Sequence, residues 1–371
     1  MLSVAGADMR LDLTVSLEPG FDFLSAEYAG FYSADRATAF QAPLWMAMIH
    51  SRLAGGLNAT QQTLTLRNRA DGALVAVIPL VLQRSKGIRL LRPADFGVCD
   101  YNSIVADRNM LGMIAADANL VAELNALVSG ADILMFRKVR EDDFDIGRLF
   151  AGSTSTPAEN AAYHSTVGDD FDAWRSRTIR KKFSKELGRL QRQMEREFGS
   201  YEHRAAANED EIRKAFDFLR ASRSGRFEDD LLQSDLYFEF YRDYAIAAAE
   251  RGEAVTYVSY VAGEPVAVLF GLVGDGEFHA VLIGSDTQRF GRSSPGTQII
   301  YQIIKRRFEE GFRSFDMGLG NSGYKTHFRV EETALRNHTK TFSMAGYAMA
   351  TVYHHAKPVK NLLRKFVPNV R

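Results

Sequence analysis

The chain is poor in the residues that staple or anchor a protein. It has one cysteine, Cys99, in 371 residues. That excludes an internal disulfide and suits a reducing compartment. No apolar run nears the ~18 residues of a membrane-crossing helix. Lys+Arg 46 and Asp+Glu 46 cancel, so no global field draws the protein to nucleic acid or lipid. The eight histidines are scattered, with no Cys pair and no His-Glu-x-x-His spacing, which gives metal chemistry little support. No Gly-x-Ser-x-Gly elbow is present, so a hydrolase of that type is not expected. Met1 to Pro19 carries Asp8, Asp12 and Glu18 and lacks a basic stretch followed by an apolar block. It does not read as a secretory signal. A cytoplasmic enzyme or binding protein, of about two to three domains, is the expectation.

The apolar pattern repeats one order twice. In the first half, a helix is expected from Pro43 to Ala54, stopped at Gly55-Gly56. It is followed by a strand at Thr63 to Leu66, a turn at Asp71-Gly72 and a strand at Leu74 to Leu82 containing Pro79. A helix at Ala115 to Val128, Gly130 and a strand at Ile133 to Phe136 complete the set. In the second half the helix is Asp235 to Arg251. The strands are Val255 to Val261, Pro265 to Val273 and Phe278 to Gly284. A helix from Pro295 to Glu310, Gly311 and a strand ending at Asp316 follow. Such repetition points to duplicated α/β lobes. The Ser/Thr-rich stretch Gly152 to Glu159 reads as a linker.

Between the lobes' repeated parts, Asp169 to Phe198 reads as helical, with one apolar stripe through Trp174, Ile179, Phe183, Leu187, Leu190 and Met194. Its other faces are basic from Arg175 to Arg196. That is either a solvated face or a contact for an anionic partner such as the nucleotide end of a cofactor, a tRNA or a lipid. A further helix is expected from Glu209 to Ser222. The tail from Tyr353 carries Lys357, Lys360, Arg364, Lys365 and Arg371 beside Leu362, Leu363 and Phe366. It reads as a docked terminal helix, with a peripheral membrane contact as the alternative.

The most informative stretch is Gly284 to Phe328. A strand ends at Gly284, and a Gly/Ser/Pro loop opens a helix at Pro295, where proline's missing N–H costs nothing. Main-chain N–H groups at such a start form an anion site. The loop Gln288-Arg289-Phe290-Gly291-Arg292-Ser293 nearly fits Q/R-x-x-G-x-G/A, with serine in the last place. A pyrophosphate contact by Ser294, Pro295, Gly296 and Thr297 is expected, with charge from Arg289 or Arg292. An ordinary helix start with a glycine turn is the alternative. No Gly-x-Gly-x-x-Gly follows a strand, so a dinucleotide fold fits less well.

Three segments carry a family resemblance: Phe40-Gln41-Ala42-Pro43-Leu44-Trp45, Ser294-Pro295-Gly296, and Phe315-Asp316-Met317-Gly318 with Tyr324-Lys325 after it. They resemble the GNAT superfamily, in particular its CelD-like group, which shares a double-lobed fold with the Fem peptidyltransferases. The resemblance runs from about residue 20 to 345. It departs at Met317, Leu319 and the imperfect Q/R-x-x-G-x-G/A box. It implies an α/β (α+β) protein of two tandem GNAT-like lobes, with mixed central sheets flanked by helices. The expected first lobe is 1–165, on the acceptor side. The expected second lobe is 166–347, with the basic helix and an acyl-CoA site, and a basic helical tail covers 348–371.

It further implies transfer of an acyl group from acyl-CoA, acetyl-CoA foremost, to an amine or hydroxyl on a small molecule or sugar, with no metal and no DNA partner. The Fem relatives use aminoacyl-tRNA instead, and a catalytically silent binding protein is a third reading. Such chemistry needs a bound thioester, an approach for a neutral nucleophile, a donor for the oxyanion and a proton path. Backbone groups at Ile283 and Gly284 are expected to hold the thioester carbonyl and arm. Tyr324 would protonate the leaving thiolate, Lys325 would stabilise negative charge, and Asp316 would orient Lys325 or the acceptor. Alternatively Asp316 caps a turn and Lys325 is a surface ion-pair partner. Asp286 and His279 are alternative bases. Asp100 and Tyr101, at the matching place in the first lobe, are candidate acceptor contacts, or a plain turn.

Overall fold

The computed structural model describes residues 11–355 except 34, 86, 227–228, 275 and 321–324. Tyr324, and the basic tail beyond His355, lie outside the described residues. The chain divides into two compact units, 1–157 with 336–371, and 158–335. The sequence boundaries of 165/166 and 347/348 differ from this division because the chain crosses back earlier than the pattern suggested.

The first stretch contains β1 (Leu13–Glu18), α1 (Ala26–Phe31), α2 (Pro43–Met48), β2 (Ala59–Gln61) and β3 (Thr63–Asn68). It continues with β4 (Leu74–Ile78), β5 (Leu80–Ser85), β6 (Ile88–Pro93) and β7 (Val105–Ala106). The helices α3 (Arg108–Ala116) and α4 (Ala118–Val128) and the strands β8 (Ile133–Arg140) and β9 (Thr154–Pro157) complete it. The helix expected through Ala54 leaves α geometry at Ile49 and finishes in wider π turns over Ile49–Ala54. The single strand expected over Leu74–Leu82 is two. Pro79 offers no N–H to a ladder, and there the chain leaves one sheet for another. β4 lies in the order β1-β3-β4-β7, whereas β5 lies beside β2 and β6. The helix expected over Ala115–Val128 begins seven residues earlier and is broken. Asp117 ends α3 and caps α4 through the Asn119 and Leu120 amides, and the two helices turn by 92°.

The second unit contains β10 (Ala162–Thr166), α5 (Phe171–Thr178), α6 (Lys181–Phe198), β11 (Tyr201–Ala205), α7 (Glu209–Arg223) and α8 (Asp235–Ala249). Then come β12 (Ala254–Val261), β13 (Glu264–Val273), β14 (Glu277–Ser285), α9 (Thr287–Phe290), α10 (Pro295–Glu309), β15 (Ser314–Leu319) and β16 (Glu331–Thr333). The single helix expected over Asp169–Phe198 is interrupted at Ile179-Arg180, whose extended backbone lets Ile179 turn into the core. The seven strands form one sheet in the order β11-β12-β13-β14-β15-β10-β16. Every pair whose register is known is antiparallel except β14 with β15. α10 lays Ile299, Ile300, Ile303 and Ile304 on this sheet in one core with Trp174, Leu269, Phe278 and Phe315. Burial of each such side chain stabilises by about 2 kcal/mol. The Trp174 indole N–H reaches the Ser165 hydroxyl at 2.9 Å, which ties α5 to β10.

After β16 the chain returns to the first unit as β17 (Leu335–Thr341) and α11 (Met344–His355). β17 completes the order β2-β5-β6-β8-β17-β9 and pairs antiparallel with β9, so part of the expected linker is a strand. α11 packs Ala350 on Leu90, Ile133 and Met135.

Candidate active site

The site begins where two parallel strands part. β14 and β15 pair over three residues only, ending at His279 with Asp316. Beyond that rung β14 stays with β13 as far as Ser285, and β15 stays with β10 as far as Leu319. A bulge aids the parting. Phe270 faces Leu282 while Gly271 faces Ala280, so Val281 is an extra residue that bends β14. Gly271 is required there, because a Cβ would stand 2.4 Å from the His279 carbonyl and 2.3 Å from the Phe278 ring.

The polarity of the free edge follows from the ladder. The Asp286 N–H donates to the Val266 carbonyl at 3.0 Å. By the antiparallel alternation, Gly284 and Leu282 turn their backbone groups to β13, while Ile283 and Ser285 turn theirs to the gap. Both outward carbonyls are already taken. Arg223 Nη1 donates to Ile283 O at 2.7 Å, and Arg226 Nη1 to Ser285 O at 3.1 Å. Arg223 is buried and locked by Asp230 through Nε (2.9 Å) and Nη2 (3.0 Å). The edge therefore offers N–H donors beside guanidinium groups. Gly284 has a packing reason: a Cβ would lie 2.4 Å from Ser222 Oγ and 3.1 Å from Leu219 on α7.

The loop after β14 is compact. Asp286 caps α9 through the Arg289 amide at 2.9 Å. One 3-10 turn, Gly291–Ser293, follows, and Ser294 takes the left-handed conformation (φ 49°) before Pro295 starts α10. The Thr297 and Gln298 amides both reach Ser294 O, at 3.0 and 3.1 Å. Gly296, second in the helix, has no intrahelical acceptor for its N–H. A Cβ on Gly296 would come 3.1 Å from Ser285 Oγ, so glycine lets the helix start approach the end of β14. Arg289 and Arg292 are exposed. Buried Gln298 donates its side-chain amide to Ser293 O and fixes the loop from within. Sequence reading missed it because a glutamine inside a helix carries no local signal.

At the base of the parting the structure brings together Asp316 and His279. Asp316 is 1% exposed. Its Oδ1 accepts the Gly318 N–H at 2.6 Å, and its Oδ2 lies 3.8 Å from His279 Nδ1. His279 Nε2 stands 3.0 Å from Glu277 Oε2, and Glu277 Oε1 accepts the Ser314 hydroxyl at 2.7 Å. Lys325 is elsewhere employed. It is buried, with Nζ 2.9 Å from Gly318 O and 3.0 Å from Leu319 O, 4.9 Å from the Tyr163 ring centroid. It holds the end of β15 and is not a surface ion-pair partner.

In unit 1 the matching residues are arranged otherwise. Tyr101, expected at an acceptor, is 1% exposed, with its ring 5.8 Å from Phe40 and the Arg140 guanidinium 5.5 Å from its centroid. Asp100 is half-buried beside it. Asp95 accepts hydrogen bonds from Arg92 and from Asn102 (3.1 Å), and lies 3.5 Å from Lys138 Nζ. Burial alone would raise the Asp95 carboxyl, but Arg92, then Lys138 and Arg137, outweigh it and hold it well below the usual carboxylate range. Burial likewise pushes the Cys99 thiol well up, so it is no nucleophile. Among the described residues no group of three or more His, Cys, Asp or Glu is placed to hold a metal ion.

Residues 181–326 match the family model described as an acetyltransferase (GNAT) domain. The matched stretch lies within unit 2. Most of the chain, across both units, shares its fold with solved structures. It superposes on FemX with a TM-score of 0.56 at 10% identity, covering 82% of this chain and 96% of that one. It superposes on the C-terminal domain of a putative lysylphosphatidylglycerol synthetase from Agrobacterium fabrum with a TM-score of 0.51 at 12% identity, covering 85% and 92%. A conserved protein of unknown function from Bacteroides thetaiotaomicron gives 0.52 at 14% identity, covering 89% and 100%. At such identities the likeness is one of fold: a double-lobed α/β arrangement with GNAT-like sheets. No curated sequence matches significantly.

Proposed function

We propose that the protein transfers an acyl group from acyl-CoA to an amine or hydroxyl, on a small molecule or sugar, with unit 2 as the reacting lobe. The carrying observation is the parting of β14 from β15 beyond His279 and Asp316, with the start of α10 set against the end of β14. An acyl-CoA fits these residues in its acceptor groups. The Gly296 amide, with Arg289 and Arg292 nearby, suits phosphate oxygens. The outward N–H groups of Ile283 and Ser285 suit the carbonyls of the thioester and its arm. The arm's own N–H groups fit less well, because Arg223 and Arg226 already occupy the outward carbonyls.

In this reading the acceptor's neutral nitrogen or oxygen attacks the thioester carbon, the C–S bond breaks, and the thiolate leaves. His279 takes the acceptor proton directly or through water, and Asp316 and Glu277 orient its ring and steady the imidazolium. Lys325 holds the end of β15, and Tyr324 remains the candidate donor to the thiolate. Asp100 remains the acceptor-side candidate.

Calorimetric titration with CoA and acetyl-CoA tests the reading. Saturable binding is expected, abolished by Gly296→Glu while the unfolding transition persists. Absence of binding to any CoA, with binding to an aminoacyl-tRNA, would replace it with Fem-like transfer.

A further inference from the structure

The outer face of α6 carries a charge pattern that the acyl-transfer reading does not use. Residues 175–196 contain nine Lys or Arg and two Glu, in a chain of zero net charge. At 100° per residue, Lys181, Lys182, Lys185, Arg189, Arg192 and Arg196 fall within an arc of about 100°, over a length of about 22 Å. All six are exposed. Leu187 and Met194, which are buried, fall on the opposite side, together with partly buried Phe183. Only Arg189 forms a direct ion pair, with Glu186 at 2.6 Å; among the described residues the other five have none. The apolar side thus fixes α6 to unit 2 and leaves a straight cationic ridge outward.

We propose that this ridge docks the protein on an anionic lipid surface. The shape selects a plane over another rod. Two crossed convex bodies touch over a short stretch, whereas a plane meets the whole ridge at once in any orientation about its normal. Cations at the edges of a 100° arc sit only ~2 Å farther from a tangent plane than those at its centre, for a helix of this radius. Lys and Arg stems span that difference easily. No aromatic side chain of α6 stands in the arc for base stacking. Each cation near an anionic surface strengthens binding by roughly fivefold, and salt weakens it. The proposal is independent of the acyl donor.

Co-sedimentation of the full chain with phosphatidylcholine vesicles, with and without phosphatidylglycerol, tests it. Binding is expected only with the anionic lipid, falling as salt rises. Lys182→Gln/Lys185→Gln/Arg192→Gln should weaken it roughly a hundredfold, with circular dichroism and the unfolding midpoint unchanged because all three side chains are exposed. Equal binding to both vesicle types, no loss in the folded triple variant, or binding to duplex RNA without binding to anionic vesicles would overturn it.

Discussion

In unit 1, β8 leaves β6 after the pairs Leu90 with Ile133 and Leu91 with Leu134. In unit 2, β15 leaves β14 after His279 with Asp316. The gaps are treated in opposite ways. In unit 1 the chain's own loop closes it. The Asn102 amide bonds the Lys138 carbonyl at 3.0 Å, the Asn102 side chain bonds Arg137 O at 2.9 Å, and Lys138 Nζ reaches Cys99 O at 2.6 Å. Asp95 neutralises the buried cations. In unit 2 the edge of β14 is met by arginine side chains, which satisfy carbonyls and leave main-chain N–H groups facing the gap. Two partings of parallel strands in one chain are thus sealed in one unit and left with donors presented in the other. At the parting itself the difference rests on a few side chains.

The comparison breaks most sharply at Asp95. Asp95→Ala strands Arg92 and Lys138 in the core and should cost about 3–5 kcal/mol, read by chemical denaturation. The same carboxyl gives a pH test. Its folded pKa is depressed, so its stabilisation is fully present above the unfolded value of about 4 and is lost as pH falls from there toward the folded pKa. Asp95→Asn should flatten that acid limb; an unchanged limb would mean the cluster is not coupled to folding.

Next in size is Gly271→Ala in unit 2. It forces a methyl against the His279 carbonyl and the Phe278 ring and should destabilise by about 2 kcal/mol. A neutral result in thermal unfolding would mean that the bulge is not needed to part the strands. The smallest effect is at Arg226. Arg226→Ala frees Ser285 O for the N–H of a bound arm and should tighten CoA by roughly fivefold, one hydrogen bond's worth. Weakening in calorimetry would instead make Arg226 a contact to the ligand's phosphate.

Much of this organisation is legible in sequence, and the failures have physical causes. α10 and its proline start, and the strands β12 to β15, follow from periodicity and glycine punctuation. Hydrophobic spacing does not report a bend, so the breaks at Asp117 and Ile179-Arg180 stayed hidden inside continuous apolar stripes. Pro79 was visible as a disturbance, but proline alone does not tell an edge from a change of sheet. β9 is hidden because a Ser/Thr-rich strand at a sheet edge looks like a linker until its partner β17, some 180 residues away, is known. At the site, Asp316 and His279 were each noticed, but only the parallel register places them on one rung. The Lys325 contacts to the Gly318 and Leu319 carbonyls stay hidden because sequence does not display main-chain partners.

Hydrogen exchange with and without CoA tests the asymmetry of the two lobes most directly. The account predicts slowed exchange at the amides of β14 near Ile283 and at the start of α10, with 93–102 and β8 unchanged. Protection in unit 1, or no protection at β14 under conditions where CoA is bound, would contradict it.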